Sequence, residues 1–179
     1  MKLPVYAKID LSSETWESFP ISEEYFKKYI GGKCLAARLL LDLTEAGIDP
    51  LSPEATVIIN TSPLNGTASP SSSRFNMTFK NVLTGGIASS NSGGQFGVMM
   101  KKAGFDGIII TGKAKKPSLL EIVDGNITFK SAEELWGMDT EETQKNLPKA
   151  YGKIVIGTAG ENLVSYASAA SGERMSGRC

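Results

Sequence analysis

Two segments of the sequence combine an arginine with small residues in a way that could hold an anion. In residues 71–76, Arg74 stands between a run of serines and the start of a predicted strand. In residues 91–97, Gly93 and Gly94 precede a predicted helix. Backbone N–H groups at a helix start lack intrahelical partners, and glycine lets a phosphate approach them. The pair predicts a phosphate site, with close helix–strand packing and a surface ion pair of Arg74 as the structural alternatives.

The usual signatures of nucleotide binding and of side-chain catalysis are absent from the sequence. Neither G-x-x-x-x-G-K-[ST] nor G-x-G-x-x-G occurs. The chain has no histidine, which removes Ser-His-Asp and Cys-His arrangements and the HExxH zinc site. Its two cysteines, Cys34 and Cys179, form no C-x-x-C motif for a metal or a redox disulfide. Any catalysis must therefore depend on a cofactor or on other polypeptide.

Size and charge indicate one globular domain with no general affinity for polyanions. The chain has 179 residues, of which 41% are hydrophobic and 21% charged. Lysine plus arginine and aspartate plus glutamate both total 19, so no basic field would attract nucleic acid or anionic lipid. The N-terminus lacks the apolar region of a signal peptide, and no apolar run is long enough to span a bilayer. We expect a cytoplasmic protein that binds neither nucleic acid nor membrane.

Hydrophobic periodicity predicts an α+β fold with mixed, largely antiparallel sheets and a few packed helices. Strands are predicted over residues 6–11, 16–19, 55–59, 75–80, 108–111, 119–123, 127–130, 153–156 and 166–170. Helices are predicted from Ser22 to the Gly31-Gly32 pair, over residues 33–43 and 95–102, and from Asp139 to near Pro148, with a capped helical turn at residues 131–134. Residues 85–94 are rich in glycine and serine up to the helix start at Gln95, and no strand is predicted in them. The hairpins exclude a simple series of βαβ units.

Short motifs in a shared order resemble the N-terminal domain of the aldehyde:ferredoxin oxidoreductase family. They are YIGGKCLA from residue 29, DPLSPE from 49, TSPLNGT from 61, SRFN from 73, NSGG from 91, AGFD from 103, GKA from 112, LWG from 135 and GTAGEN from 157. Each motif is short, but their common order covers almost the whole chain. The resemblance implies that this domain is a base of β-sheets on which two pterins lie.

The resemblance also implies a cofactor and a reaction. Family members carry a bis-pterin tungsten cofactor, magnesium and a [4Fe-4S] cluster, and they oxidise a small aldehyde to a carboxylic acid with electrons passing to ferredoxin. Molybdenum in place of tungsten is an alternative, and so is another carbonyl or aromatic acyl substrate. A different alternative is a non-catalytic module that binds or forms a homodimer, which predicts an apolar patch near Met99, Met100 and the chain end.

Three predicted cofactor contacts follow from the resemblance in the first half of the chain. By position in the motifs, Arg74 would contact a pterin phosphate, and Gly93 would approach a phosphate through its backbone. Asn91 would supply an oxygen to the magnesium ion that bridges the two phosphates. Magnesium prefers oxygen ligands, and arginine adds planar charge-assisted hydrogen bonds.

A second predicted contact segment lies at the end of the chain. It consists of Ser176, Gly177 and Arg178, with the carbonyl of Ser176 as the other magnesium ligand. Cys179 stands where the family usually has a glycine. We expect residues 1–179 to form a single cofactor-binding domain that lacks its closing strand, with the cluster and substrate domains absent.

Overall fold

The computed structural model describes residues 2–172 and 174–176, and this part of the chain forms ten strands and five α-helices. The strands are β1 (Val5–Asp10), β2 (Thr15–Pro20), β3 (Val57–Thr61), β4 (Phe75–Lys80), β5 (Ile87–Ser92), β6 (Gly107–Thr111), β7 (Ser118–Val123), β8 (Asn126–Ser131), β9 (Ala169–Ser171) and β10 (Arg174–Ser176). The helices are α1 (Glu23–Tyr29), α2 (Gly32–Leu43), α3 (Phe96–Lys102), α4 (Thr140–Asn146) and α5 (Thr158–Glu161). None of these helices has the length and apolar character needed to cross a membrane.

A six-stranded sheet with the order β2-β1-β6-β3-β4-β5 forms the centre of the fold. Only the β1–β6 pair is parallel, and the other four neighbouring pairs of this sheet are antiparallel. The β7–β8 and β9–β10 pairs form two small antiparallel sheets. The predicted α+β class with largely antiparallel sheets is therefore confirmed.

Each face of the central sheet packs against its own set of apolar side chains. Successive side chains of a strand point to opposite faces, so every second residue belongs to one core. The first core contains Ala7, Ile9, Ile59, Phe75, Met77, Phe79, Met100, Phe105, Ile108, Ile127 and Ala169. The second contains Tyr6, Ile21, Leu35, Ala36, Leu39, Leu40, Ile58 and Ile109, and α2 supplies four of these. The predicted alternation of Phe75, Met77 and Phe79 is confirmed.

The connection between α1 and α2 contains the predicted glycine pair, but Ile30, with a φ of +63°, and not a glycine, caps the end of α1. The Ser22 hydroxyl accepts a hydrogen bond from the Tyr25 backbone N–H at 3.1 Å, which caps α1. A Cβ atom at Gly31 would lie 3.0 Å from Cδ of Pro63, and Gly32 has a φ of +53°. The glycine pair is thus needed to bring the start of α2 against the end of β3.

The β7–β8 hairpin and α4 are confirmed with the predicted turn and the predicted N-cap. The hairpin turns at Asp124 and Gly125, both of which have positive φ angles. Asp139 caps α4 by accepting hydrogen bonds from the backbone N–H groups of Glu141 and Glu142 at 2.8 Å, and Glu142 completes the capping box.

The glycine- and serine-rich segment at residues 85–94 contains a strand that the sequence analysis does not predict. Residues Ile87–Ser92 form β5 and pair with all six residues of β4. Small residues have a weak intrinsic strand preference, but pairing with a fully buried neighbouring strand overrides it.

Three other local predictions were wrong in detail. Residues 153–156 form no strand: Val155 makes an isolated bridge with Ala170, and the Lys153 ammonium donates to backbone carbonyls at the end of α4. The strand predicted over 166–170 is shorter and begins at Ala169. The helical turn near residue 131 is a short 3-10 helix at Glu133–Leu135, without the predicted capping box.

The apolar patch expected for a non-catalytic module does not form around Met100. This side chain is 4% exposed and belongs to the first core. Met99 is half-buried beside Gly152, where an added Cβ would lie 3.1 Å from Cβ of Met99. Near the end of the described chain, Met175 is 63% exposed.

Candidate functional site

The start of β4 and the end of β5 meet at one end of the central sheet. Phe75 is the Cα partner of Ser92 in this antiparallel pair. Arg74 precedes Phe75, and Asn91 and Gly93 flank Ser92. The structure therefore brings together Arg74, Asn91 and Gly93, the three cofactor contacts predicted in the first half of the chain. The side chains of Arg74 and Asn91 are both exposed there.

Arg174, which is not among the predicted cofactor contacts, lies at the same end of the sheet. Its Nε atom is 3.6 Å from the position that a Cβ atom of Gly93 would occupy, and its Nη1 atom is 3.7 Å from the corresponding position of Gly94. Gly94 has a φ of +101°, a conformation that other residues adopt only with strain. The available signal for Arg174 was its position two residues before Ser176 in the sequence.

The second predicted contact segment is described only in part. The backbone of Ser176 ends β10, where it is the Cα partner of Ala169, and β10 contacts β5. Gly177 and Arg178 lie outside the described residues, as does Cys179. Their contacts with a cofactor stay predictions.

A buried asparagine fixes the backbone of Arg74. The Nδ2 group of Asn65, which is 1% exposed, donates to the Arg74 carbonyl at 2.8 Å. A Cβ atom at Gly97 would lie 2.8 Å from this Nδ2 atom and 3.3 Å from the Arg74 carbonyl oxygen. Glycine at position 97 therefore lets α3 pack directly on the loop that leads into β4.

Lys101 attaches the same loop to the core. Its ammonium group donates to the carbonyls of Ser62 and Pro63 at 3.2 and 3.1 Å, and it forms an ion pair with Asp106 at 3.0 Å. The other carboxylate oxygen of Asp106 accepts from the Val5 backbone N–H at 2.9 Å. These contacts hold the loop, α3 and β1 together beneath the site.

A row of three asparagines crosses β3, β4 and β5 on the face covered by α2. Asn60 is the Cα partner of Asn76, which is the Cα partner of Asn91. Asn60 donates to the Tyr6 hydroxyl at 2.8 Å and to the Gly32 carbonyl at 3.0 Å. Burial raises the pKa of Tyr6 well above its ordinary value, so this hydroxyl stays neutral at physiological pH. The row connects the edge of the site to the buried centre of the sheet.

The charge and donor chemistry of this end of the sheet suits a phosphate. Within residues 2–172 and 174–176, neither Arg74 nor Arg174 has a carboxylate at ion-pair distance. The same residues contain no group of three His, Cys, Asp or Glu side chains that could hold a metal. Guanidinium groups bind phosphate oxygens through two parallel hydrogen bonds, and Gly93 and Gly94 beside Arg174 leave room for a close approach. The donor set therefore fits an anionic oxygen ligand better than a metal ion held by side chains.

Comparison with known families identifies the fold. The family model for "Aldehyde ferredoxin oxidoreductase, N-terminal domain" matches residues 6–179. The chain belongs to this family. The resemblance predicted from the short motifs is thus confirmed over nearly the whole sequence.

The matching relatives are several times longer than the chain. It is 41% identical to the tungsten-containing aldehyde ferredoxin oxidoreductase of Pyrococcus furiosus and 37% identical to that of Thermococcus kodakarensis, in each case over 97% of the chain and 30% of the relative. The WOR-like subunit of an aliphatic sulfonate oxidoreductase from Pyrococcus furiosus is 32% identical over 89% of the chain and 28% of its own length. The chain therefore spans less than a third of these relatives.

A solved structure shares the fold with a TM-score of 0.90 and 30% sequence identity. It is the active site complex BamBC of benzoyl coenzyme A reductase with 1,5-dienoyl-CoA, and the match covers 97% of this chain and 27% of that one. The homologous proteins are oxidoreductases, so the parent family is enzymatic.

Proposed function

We propose that this chain is the pterin-binding portion of a tungsten-dependent aldehyde oxidoreductase. The observation that carries the proposal is that the Arg174 guanidinium lies beside the Gly93-Gly94 pair after β5, at the end of the β4–β5 pair where Arg74 leads into β4. We infer the identity of the anion from the family, because the relatives are named as tungsten-containing aldehyde ferredoxin oxidoreductases. A bis-pterin cofactor presents two phosphates, which match two arginines.

Each residue of the site has a part in holding the pterin phosphates. Arg74 and Arg174 neutralise and orient the phosphate oxygens, and Gly93 offers its backbone without a side chain in the way. Asn91 and the Ser176 carbonyl would supply oxygen ligands to the magnesium ion. We also assign Gly177 and Arg178, the other two residues of the second contact segment, to the cofactor contacts.

The chain itself contributes binding and orientation rather than acid–base chemistry. When bound, the tungsten centre, or molybdenum in its place, supplies the redox chemistry for the conversion of an aldehyde and water to a carboxylate, three protons and two electrons. The sequence has no histidine and no second cysteine near Cys34. We therefore assign proton transfer and the [4Fe-4S] cluster, which passes single electrons to ferredoxin, to polypeptide outside this chain.

The test is elemental analysis of the natural gene product that contains this chain, purified without oxygen. The proposal expects tungsten or molybdenum, two pterin phosphorus atoms per metal, and magnesium, together with aldehyde-dependent reduction of ferredoxin. Arg74→Ala and Arg174→Ala should each lower the phosphorus and metal content. Arg38→Ala is the matched control. This substitution removes the same charge, but Arg38 pairs with Asp42 on α2.

Two results would refute the proposal. The first is a gene product that contains neither pterin nor tungsten nor molybdenum. The second is a set of arginine variants that all keep the cofactor content of the Arg38→Ala control, which would place the phosphates elsewhere.

A second candidate keeps the site and changes the substrate. The structural match to a benzoyl coenzyme A reductase complex favours an aromatic acyl thioester, on which the same cofactor class would act reductively. Identity of 41% to an aldehyde ferredoxin oxidoreductase against 30% to the reductase favours the aldehyde. Assays with an aldehyde and with an aromatic acyl thioester, each at equal enzyme concentration, separate the two candidates.

A further inference from the structure

The side-chain amide of Asn76 has a defined orientation because of one neighbour that can only accept hydrogen bonds. Its Nδ2 atom lies 3.1 Å from the Ser90 backbone carbonyl oxygen, so this atom must be the donating nitrogen. The same Nδ2 atom lies 2.8 Å from the Ser89 hydroxyl. The Asn76 residue is 2% exposed, and its other amide atom accepts from the Thr78 hydroxyl. All of its polar atoms are therefore engaged within the sheet.

This orientation determines which end of the Asn91 side chain is available to a ligand. Asn76 Nδ2 also faces Asn91 Oδ1 at 3.1 Å across the β4–β5 pair, so the two hydrogens of this amide are shared among three acceptors. The oxygen of Asn91 therefore turns toward the sheet. Its Nδ2 group is the opposite end of the same planar amide, and within residues 2–172 and 174–176 it makes no hydrogen bond. The exposed end of Asn91 is thus a hydrogen-bond donor.

We propose that the Asn91 side chain donates to a phosphate oxygen and that Asn76 is the residue that positions it. The inference rests on the proposed function, since it takes the pterin phosphates as the ligand. An amide N–H pair suits an anionic oxygen and cannot ligate a cation. Asn91 pairs with Asn76 of β4 and precedes Gly93 by two residues, and the Arg174 side chain lies beside Gly93. Its donor therefore adds to the guanidinium groups around one anion site.

The proposal separates two roles that an asparagine could combine. Magnesium prefers carboxylate and carbonyl oxygens, and the side-chain oxygen of Asn91 is already directed at Asn76. The magnesium contact of Asn91 is then left to its backbone carbonyl. The side chain instead recognises the phosphate, which makes it a specificity element for the anion.

The substitution Asn91→Asp discriminates between the two roles in the natural gene product. Aspartate keeps an oxygen for Asn76 to donate to, replaces the free amide by a second oxygen, and adds one negative charge. A side chain that ligates magnesium would keep or strengthen the magnesium site, because carboxylate is a better ligand than amide. A side chain that donates to phosphate would lose its hydrogen bond and repel the anion.

The control is Asn81→Asp, which adds the same charge at the other end of the β4–β5 hairpin. Asn81 Oδ1 accepts from the backbone N–H groups of Leu83 and Thr84 at 2.9 Å, and aspartate can accept both bonds. The readout is tungsten, phosphorus and magnesium per polypeptide after dialysis, with the rate at which phosphorus is lost. The proposal expects loss about tenfold faster, or more, in Asn91→Asp and no change in Asn81→Asp.

The outcomes of this test are distinct from those of the proposed function. A wild-type protein without pterin refutes the proposed function. A wild-type protein with pterin, beside an Asn91→Asp variant that keeps its phosphorus and magnesium, overturns the present inference alone.

The role of Asn76 is tested by a double-mutant cycle with Asn91. Asn76→Ser should speed phosphorus loss when Asn91 is present and have little further effect in an Asn91→Ala background, because the two residues then act as one unit. An Asn76 that served only to stabilise the sheet would speed the loss equally in both backgrounds. Equal effects would overturn the positioning role.

Discussion

Replacing Asn65 by aspartate is expected to make the stability of the chain depend on pH. Asn65 is 1% exposed, and its Nδ2 group donates to the Arg74 carbonyl at 2.8 Å. A carboxylate at this position would place two oxygens against each other in a buried place. A protonated carboxyl could donate in place of the amide. Burial and the carbonyl therefore raise the pKa of the introduced group above its unfolded value.

The magnitude follows from the cost of keeping that carboxyl protonated. An aspartate has an unfolded pKa of about 3.9, and each pH unit above it costs about 1.4 kcal/mol in the folded state until the folded pKa is reached. The penalty should be about 1 kcal/mol at pH 4 and rise to at most about 5 kcal/mol at pH 7. Stability is thus retained below the unfolded pKa and lost as the pH rises toward the folded pKa.

Equilibrium urea unfolding between pH 4 and pH 7 measures this penalty. The fluorescence of Trp16 is a suitable probe, because its ring packs edge-on against Phe105 at a centroid distance of 5.7 Å. Asn81→Asp is the control, since both of its backbone hydrogen bonds survive the change. A penalty in Asn65→Asp that did not change with pH, relative to this control, would refute the reasoning.

Three further predictions concern the sheet and its connections. Gly107→Ala would place a Cβ atom 2.4 Å from Cε1 of the buried Tyr6 ring, and urea unfolding should show a loss of about 2–4 kcal/mol. Gly86→Ala, which meets only the Thr84 hydroxyl at 3.6 Å, should show little. The Ser12 backbone N–H and the Ser13 hydroxyl hold the pKa of Asp10 below its ordinary value. The stability that these hydrogen bonds add is therefore fully present above the unfolded pKa and is lost as the pH falls through the folded pKa. A carboxyl NMR titration that gave an ordinary or raised value would contradict this. Lys153→Met removes donors to the carbonyls of Gln144 and Leu147 at 2.6 and 2.8 Å and should cost about 1–3 kcal/mol, whereas the exposed Lys149→Met should be nearly neutral.

The elements that the sequence predicts well are those that local rules determine. Alternation assigns Phe75, Met77 and Phe79 to one face of β4, because the strand period fixes which side chains share a core. The Asp124-Gly125 turn and the Asp139 cap depend on residues within the same short segment. Such features need no knowledge of the rest of the fold.

The elements that the sequence does not predict depend on partners that are distant along the chain. Residues 87–92 form a strand because they pair with β4 through backbone hydrogen bonds. The roles of Asn65 and Asn76 are decided by the backbone atoms of Arg74 and Ser90, which no motif specifies. Arg174 is an intermediate case. The sequence shows that it precedes Ser176 by two residues, but its proximity to Gly93 appears only once β10 meets β5.

The parallel pairing of β1 with β6 has a consequence for how the chain folds during synthesis. Val5 and Asp106 hydrogen-bond although 101 residues separate them. Once β1 and β2 have left the ribosome, the inner edge of β1 has no partner until Gly107–Thr111 is made. At about 5–20 residues per second, roughly 5–20 s pass with a strand edge open to pairing with other chains. Slowing translation between β2 and β6 should therefore increase aggregation of the nascent protein, and a chaperone that covers such an edge should prevent it.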